Sequence, residues 1–290
     1  MTKKEFNERL EAGYLILDGA TGSNMMKAGM PKNCCAEQWI YEHPDAILDL
    51  QKKYVEAGSD IIYAPTFSAN PLSLAKHGLK DDVEKLNHAL VGLSKQASGG
   101  RALVAGDITT TGQLLEPLGD LEYEDLLEVY KAQITALAGA GVDLLVAETM
   151  MAIDETLCVL DAAKAVCDLP VMCTLTVQAD GSLFFGGDAF TGCAQFEQAG
   201  AVAVGCNCSV GPGQLVDVIT KIKSRVNVPV IAKPNAGMPK VDEHGNAVYD
   251  MEPDVFAADM MALKDAGATI LGGCCGTTPE FIRAIRQRLI

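Results

Sequence analysis

The sequence predicts a single α/β domain, a closed (β/α)8 TIM barrel that spans residues 1–290. Short apolar runs of strand-forming residues recur about eight times, and each is followed by a longer segment with apolar residues at helical spacing. Several predicted helices end in an Ala-Gly turn, as in EAGSD and GAGVD, where glycine adopts the left-handed conformation that stops a helix. A doubly wound open sheet is the alternative, but no glycine-rich phosphate loop of the Rossmann or P-loop kind supports it.

The predicted strands are near-continuous apolar runs, as expected for parallel strands buried on both faces. They cover residues 14–20, 60–65, 102–108, 143–149, 170–177, 203–207, 229–235 and 268–275. The predicted helices alternate with them at 45–57, 81–97, 123–140, 153–166, 188–199, 213–225, 253–266 and 279–289. In such a barrel the catalytic groups come from the carboxyl ends of the strands and the loops that follow, so candidate residues are sought there.

Composition excludes several classes of partner. The formal net charge of −15 and the pI near 4.6 repel phosphate backbones and anionic lipid surfaces, and no basic run offsets that charge. We therefore expect neither a nucleic-acid partner nor a membrane partner. The charged amino terminus lacks the apolar segment of a secretory signal, so we expect a cytoplasmic location. In a reducing compartment, ten cysteines indicate packing, metal binding or catalysis rather than disulfides.

Two cysteine motifs carry the predicted chemistry. The sixth predicted strand ends in GCNCSVGP at 205–212 and the eighth in GGCCGTTP at 272–279, so both open at the same rim. Three thiolates there would hold Zn²⁺ and leave one tetrahedral position open, which is typical of a catalytic site. A substrate thiol in that position loses its proton. Neighbouring residues of a strand point to opposite sides, so Cys274 and Cys275 can bind one metal only if the backbone is distorted, which glycine permits. On the sixth strand, the same alternation gives only one of Cys206 and Cys208 an easy route to the rim.

The remaining cysteines and histidines carry no predicted chemistry. Four cysteines are interpreted as buried packing residues, because free cysteine is among the most buried residue types: Cys158, Cys167, Cys173 and Cys193. We interpret Cys34 and Cys35, in the loop after the first strand, as thiols of a mobile loop. No histidine lies in a ligand-like pattern, which argues against a histidine-based triad; the four are His43, His77, His88 and His244.

These two motifs, together with DGATG at 18–22, resemble the homocysteine S-methyltransferase family, in particular the homocysteine-binding zinc module of cobalamin-dependent methionine synthase. The resemblance runs through nearly the whole chain and includes GSD at 58–60, PTF at 65–67, GDI at 106–108, ET at 148–149 and PNAG at 234–237. It implies Cys208, not Cys206, as a zinc ligand with Cys274 and Cys275. It also implies a zinc-dependent enzyme that methylates L-homocysteine to methionine.

The resemblance further implies a set of substrate residues. Homocysteine brings an ammonium and a carboxylate, so its site needs an acid and hydrogen-bond donors. Asp18 and Glu148 are expected to pair with the ammonium, and the turn formed by Asp18, Gly19 and Ala20 is expected to receive the carboxylate. Thr66 is also assigned to the substrate site. Asn235 is expected to offer its side-chain oxygen as a fourth zinc ligand when no thiol is bound, with a plain turn role as the alternative.

The methyl donor is left open by the residues themselves. The chain ends about where the homocysteine module should end, so we expect methylcobalamin on a separate corrinoid protein. A small donor such as S-methylmethionine or betaine is the first alternative. Its cationic methyl group would need an aromatic or acidic pocket, to which Trp39, Tyr63 and Phe67 could contribute. A non-catalytic thiol-binding subunit is the second. The family pattern changes at two mouth segments, APTF at 64–67 and GDITTTG at 106–112.

Overall fold

Parallel strands alternate with helices along the chain in the computed structural model, which describes residues 1–11, 13–242 and 247–289. His244 lies outside the described residues. The barrel strands are β1 Leu15–Ile16, β2 Ile61–Tyr63, β3 Leu103–Ile108, β4 Leu144–Met150, β5 Val171–Leu175, β6 Ala203–Asn207, β7 Val230–Lys233 and β10 Ala268–Leu271. A short antiparallel hairpin of β8 Lys240–Val241 and β9 Ala247–Val248 lies between β7 and the next helix.

The helices follow the strands as predicted, with additional short helices at the mouth. In chain order they are α1 Lys3–Leu10, α2 Gly22–Lys27, α3 Ala36–Glu42, α4 Pro44–Ala57, α5 Pro71–Ala75, α6 Val83–Ser98, α7 Tyr123–Ala140, α8 Ile153–Val166, α9 Ala189–Gln198, α10 Val216–Lys223, α11 Pro253–Asp265 and α12 Pro279–Leu289. Among the described residues no helix is long and apolar enough to cross a membrane.

The strands form one parallel sheet that closes on itself. Its order is β1-β10-β7-β6-β5-β4-β3-β2, and a parallel bridge between Leu17 and Ile61 joins the two ends. The Asp60 N–H donates to the Ile16 carbonyl at 2.7 Å across the same seam. The predicted (β/α)8 barrel is therefore confirmed. Most strands are shorter than predicted, because the residues that follow them leave the ladder to build the mouth.

Two apolar cores stabilise the barrel. Side chains between the sheet and the helices form the larger one, and an inner cluster that includes Leu17, Ile61 and Leu144 fills the barrel itself. Phe6 of α1, which the sequence did not predict, packs into the inner cluster and is fully buried. Helix α1 therefore covers the amino-terminal end of the barrel, and the open end lies at the carboxyl ends of the strands.

Strand alternation places polar side chains in the uppermost inner layer. Successive residues of a strand point to opposite faces, so Asp107 follows Ala105 inward, and Glu148 follows Val146. In the same way Lys233 follows Ile231. The inner core thus changes from apolar to ionisable at the level where the barrel opens.

Candidate active site

A cavity of about 310 Å³ opens at the carboxyl ends of the strands. One wall is apolar and comes from the segments after β1, with Met25, Met30 and Ile40. The lining also includes ionisable and sulfur-bearing side chains, among them Asp18, Asp107, Glu148, Lys233, Cys208, Cys274 and Cys275. A cavity with one apolar wall and a few convergent polar groups is typical of a small-molecule site.

Three cysteines meet in this cavity. The sulfur atoms of Cys208, Cys274 and Cys275 all lie within 4.8 Å of one another, and the Cys208 and Cys275 sulfurs are 3.9 Å apart. In a tetrahedral zinc site, sulfurs at about 2.3 Å from the metal are roughly 3.8 Å from each other. The spacing therefore fits Zn²⁺ after a small contraction, and all three cysteines are free thiols.

Local backbone geometry selects Cys208 over Cys206. Cys208 and Ser209 both have positive φ angles, of 62° and 60°, so the chain turns sharply at the end of β6 and carries the Cys208 sulfur into the mouth. Cys206 lies within β6, two residues before Cys208, and is fully buried in the outer core. The structure thus removes the ambiguity that strand alternation left open.

Glycine permits the arrangement at the eighth barrel strand. Gly276 has a φ of 83°, and a Cβ there would lie 2.4 Å from Cγ of Tyr249. The Cys274 N–H donates to the Pro234 carbonyl and the Ala236 N–H to the Cys275 carbonyl, at 2.7 and 2.9 Å. The backbone of Cys274 and Cys275 is thus hydrogen-bonded to the segment after β7 and not to a neighbouring strand, so both sulfurs can point to the same position in the cavity.

The thiols share their protons unequally. Hydrogen bonds from the Cys208 and Cys274 thiols lower the pKa of Cys275 to about 3. The pKa of Cys208 is raised, because its hydrogen bonds to Cys274 and Cys275 favour its protonated form. One sulfur of the metal-free cluster therefore carries the negative charge, and binding of a metal would release the remaining protons.

Three buried acids and one buried lysine form the floor of the cavity. The Lys233 ammonium lies 3.8 Å from Oδ1 of Asp18 and 3.5 Å from Oε2 of Glu148, and its side chain is 3% exposed. It also lies 4.8 Å from the ring centroid of Tyr63. Within the described part of the chain, three carboxylate oxygens are buried without a hydrogen-bond partner: Asp18 Oδ1, Asp107 Oδ1 and Glu148 Oε2.

Burial dominates the protonation of this floor. It raises the pKa of Asp18 to about 7, against the opposing effects of Lys233 and the Tyr63 N–H. It raises the pKa of Glu148 to about 7 and that of Asp107 well above its usual range. Burial also disfavours the charged form of Lys233, but Glu148 and Asp18 outweigh it and the pKa of Lys233 is raised. The acids are therefore poised to ionise fully when another cation enters.

Some predicted substrate residues have other partners. The Ala20 N–H donates to Oγ1 of Thr277 at 3.1 Å, so it is not free to receive a carboxylate as predicted. Thr66 does not line the cavity; its hydroxyl is buried and bonds to the backbone carbonyl and N–H of Asp107. Both corrections have one cause: tertiary hydrogen bonds use these groups to hold neighbouring strand ends in place.

Four of the predicted substrate residues line the cavity: Asp18, Gly19, Ala20 and Glu148. Oδ2 of Asp18 accepts a hydrogen bond from the Tyr63 N–H at 2.8 Å. Asn235 lies outside the cavity lining, but its Oδ1 atom is buried and has no partner among the described residues. An unpaired buried carbonyl oxygen beside the cysteine segments is consistent with the predicted ligand role, which stays a prediction.

Asn207 links the acids to the cysteines, and the sequence analysis missed it. Its Oδ1 accepts from the Thr149 N–H at 2.8 Å, and its Nδ2 donates to the Thr149 hydroxyl at 2.7 Å and to the Cys274 sulfur at 3.8 Å. Thr149 has a φ of 57°, which is strained for a β-branched residue. Asn207 therefore stabilises a turn directly after Glu148 while it orients Cys274.

Replacing Asn207 with alanine should lower the free energy of unfolding by about 2–3 kcal/mol, because the Thr149 N–H loses its partner and the strained turn loses its support. Urea unfolding followed by circular dichroism measures the change. The matched control is Asn227→Ala, at an exposed position in the loop before β7, with an expected change within about 0.5 kcal/mol. Equal stability of the two variants would show that other contacts hold the Thr149 turn.

The altered mouth segment at 109–112 is anchored by a buried acid. Both carboxylate oxygens of Glu155 accept hydrogen bonds, from the Thr110 hydroxyl, from the N–H and hydroxyl of Thr111, and from the Tyr130 hydroxyl. The Thr109 hydroxyl donates to the Glu148 carbonyl at 2.9 Å. The three threonines therefore fix the loop beside Glu148, so the departure from the family pattern has a structural role.

The remaining cysteines and aromatic residues largely follow the predictions. Cys158, Cys173 and Cys193 are fully buried in the outer core, and Cys167 packs against it. The interpretation of Cys35 as a loop thiol is wrong, since it is 7% exposed in a small apolar cluster; Cys34 is half-buried. Trp39 stacks on His43 with ring centroids 4.4 Å apart and does not line the cavity, unlike Tyr63 and Phe67.

Lys233 and Asp107 were not predicted as site residues, although strand periodicity contained the signal for both. A lysine that ends the apolar run VIAK, two residues after an inward isoleucine, can only be buried with a counter-charge. Its partners come from β4 and from the end of β1, and no local pattern shows that these converge. The tertiary fold was needed to find the pairing.

Comparison with known proteins gives the family. A family model described as homocysteine S-methyltransferase matches residues 15–289. The methionine synthase of Mycobacterium leprae is 26% identical over 302 residues, and that of Mycobacterium tuberculosis is 25% identical over 294 residues. These alignments cover 96% and 95% of this chain but 24% of each relative, so the chain spans about a quarter of their length.

Solved structures agree on the fold. The homocysteine methyltransferase MmuM from Escherichia coli, in its metallated form, matches with a TM-score of 0.80 and 22% identity over 96% of this chain and 99% of that chain. Its oxidised form matches with a TM-score of 0.80 and 23% identity, over 95% and 96%. At this identity the likeness shows the shared barrel. Because the family model covers nearly every residue of the barrel, the chain belongs to the homocysteine S-methyltransferase family.

Proposed function

We propose that this chain is a zinc-dependent S-methyltransferase that binds L-homocysteine as a zinc-bound thiolate and methylates it to methionine. The observation that carries the proposal is the cluster of three free thiols, within 4.8 Å of one another, in the wall of a cavity whose floor holds buried carboxylate oxygens without a hydrogen-bond partner among the described residues. The sulfurs suit a thiol-activating metal, and the acids suit an amino acid. The two features occur together in a chain of this family.

The residues fit Zn²⁺ through their donor chemistry. Cys208, Cys274 and Cys275 would hold the ion, and Asn235 Oδ1, which is buried and unpaired, is the candidate fourth ligand without substrate. When bound, Zn²⁺ would lower the pKa of a coordinated thiol well below its free value of about 8.5. The Asn207 amide would orient the Cys274 sulfur through the hydrogen bond that it donates, as groups around metal ligands commonly do.

The chain's other residues would bind and orient the amino acid. The apolar wall formed by Met25, Met30 and Ile40 suits the two methylene groups of homocysteine. Asp18 and Glu148 would attract the ammonium through carboxylate oxygens that have no hydrogen-bond partner among the described residues, although both also lie near the Lys233 ammonium. The thiol would then point toward the cysteines at the rim, where a methyl donor approaches from solvent. The thiol proton would be released to solvent, and the S–CH3 bond would form as the bond between the methyl carbon and its donor breaks, with the bonding electrons leaving on the donor.

We favour methylcobalamin, carried by a separate corrinoid protein, as the donor. The segments that follow the barrel strands expose large apolar side chains around the mouth, as a docking surface for such a protein requires: Met26, Leu118, Phe184, Phe185, Met238, Val241 and Val248. The similarity to two methionine synthases, of which this chain spans about a quarter, supports methyl transfer that leads to methionine.

A small cationic donor is less well supported. The aromatic candidates for a cage around a sulfonium or ammonium methyl group do not assemble, because Trp39 stacks on His43 outside the cavity. Tyr63 already faces the Lys233 ammonium. S-methylmethionine and betaine are therefore controls in the assay. Thiol binding without turnover from methylcobalamin or these two donors would favour a non-catalytic thiol-binding subunit.

Zinc content and zinc-edge X-ray absorption of the purified reduced protein test the proposal directly. We expect one zinc per chain with three sulfur neighbours, and a fourth sulfur after addition of L-homocysteine. L-Homoserine, in which a hydroxyl replaces the thiol, is the matched ligand control and should leave the sulfur count unchanged. Absence of zinc, or a sulfur count that ignores homocysteine, would refute thiol activation.

A further inference from the structure

Lys233 places a permanent cation beside the acids that are expected to bind the substrate's ammonium. Its Nζ atom is 3.8 Å from Asp18 Oδ1 and 3.5 Å from Glu148 Oε2, and it is buried together with both acids. At these distances neither oxygen has a hydrogen-bond partner of normal geometry among the described residues. The lysine therefore lowers the electrostatic cost of a carboxylate at either position but leaves most of the hydrogen-bonding capacity of both acids unused.

This geometry changes how the pocket distinguishes its ligands. A buried site that is built to pair with a substrate's N–H group normally rejects an analogue without that group, by as much as about 10⁴-fold, because the buried partners are left unpaired. Here Lys233 keeps Asp18 and Glu148 compensated when the ligand brings no ammonium. When the ligand does bring one, the Lys233 charge repels it at short range. Both effects act in the same direction and reduce discrimination.

We propose that Lys233 is a specificity-determining residue, which lets this pocket accept carboxylate thiols with or without an α-ammonium group. The inference rests on the proposed function, because it concerns the ligand of the same cavity. It extends the substrate class from an amino-acid thiol to its desamino counterpart. Asp107 Oδ1, the third unpaired oxygen on the floor, leaves the pocket able to bind an ammonium as well.

A purely structural ion pair would behave differently. If Lys233 only stabilised the barrel, its replacement would weaken the binding of both ligand types equally. The ratio of the two affinities therefore isolates the proposed role. Lys233 lies in the inner layer, two residues after Ile231, so an uncharged side chain of similar length can replace it and the ratio can be measured in that variant.

The test compares two pairs of ligands that differ only in the amino group. Binding of L-methionine and 4-(methylsulfanyl)butanoate is measured by isothermal titration calorimetry, which needs no methyl donor. Methylation of L-homocysteine and 4-sulfanylbutanoate gives the ratio of kcat/KM. The variants are Lys233→Met and Lys233→Gln, and the control is Lys4→Met, whose lysine side chain is 87% exposed and paired with Glu8 on α1.

We expect the wild type and Lys4→Met to favour the ammonium-bearing ligand by less than about tenfold, and the Lys233 variants to favour it by about 100-fold or more. A wild-type preference above about tenfold, or a ratio that the Lys233 variants leave unchanged, would overturn the inference. The wild-type measurement can overturn it even if both Lys233 variants fail to fold. If the wild type binds neither ligand pair, the proposed function itself fails.

Discussion

Replacing Cys208 with alanine should remove zinc from the protein and reduce methyl transfer below detection. The three sulfurs lie within 4.8 Å of one another, and loss of one leaves two thiolates that cannot define the proposed tetrahedral site. Because a bound metal stabilises only the folded state, the variant should also lose the increase in thermal stability that zinc gives the wild type. Zinc is measured by atomic absorption, and stability by thermal unfolding with and without added metal.

The chain offers a closely matched control two residues away. Cys206→Ala removes the same sulfur from the same strand, but Cys206 is fully buried in the outer core and points away from the cavity. This variant should keep its zinc and activity and lose only a modest amount of stability from the space left by the sulfur. Zinc loss in both variants would indicate a general defect in the strand. Zinc retained by Cys208→Ala would exclude Cys208 as a ligand.

Replacing Gly205 with alanine should prevent stable folding, although the added group is a single methyl. A Cβ at this position would lie 2.0 Å from the Ile231 carbonyl oxygen and 2.7 Å from its nitrogen. Both are backbone atoms of β7, where Ile231 pairs with Gly205 in the parallel ladder. The clash can be relieved only by separating two barrel strands, so we expect a loss above about 4 kcal/mol or insoluble protein. Urea unfolding measures it.

The control for this substitution is Gly92→Ala on α6. Its Cβ would meet no atom within 4 Å, and alanine is a better helix former than glycine. We expect this variant to be more stable than the wild type by about 0.5–1 kcal/mol. Soluble Gly205→Ala protein with wild-type stability would contradict the close approach of β6 and β7 on which the position of Cys208 depends.

The barrel and its cysteines were largely predictable because their signals are local. A buried parallel strand is a continuous apolar run, and a glycine ends the preceding helix in the same few residues, so neighbouring residues report each element. The cysteine motifs follow two of these strands, and parallel strands open at one rim. The sequence therefore predicted which strand ends bring their cysteines together; strand alternation left Cys206 and Cys208 open, the family resemblance implied Cys208, and the positive φ of Cys208 explains how its sulfur reaches the mouth.

The amino-acid end of the site was not predictable in the same way. Ala20 and Thr66 stand at strand ends as expected, yet hydrogen bonds to Thr277 and to the Asp107 backbone take the groups assigned to substrate. Each of these partners is more than 40 residues away in sequence. Which hydrogen-bonding group of one strand end is used by a distant strand end cannot be seen in the residues next to it in the sequence.

The barrel and the rim at which its loops open follow from residue spacing and glycine placement, which act over a few residues, while the choice of Cys208 beside Cys274 and Cys275 came from the family resemblance. Only the tertiary structure decided the charge of the floor. It brings Lys233 from β7 between Asp18 from the end of β1 and Glu148 from β4. The energy of buried charges depends on the distances between them, and closure of the barrel sets those distances.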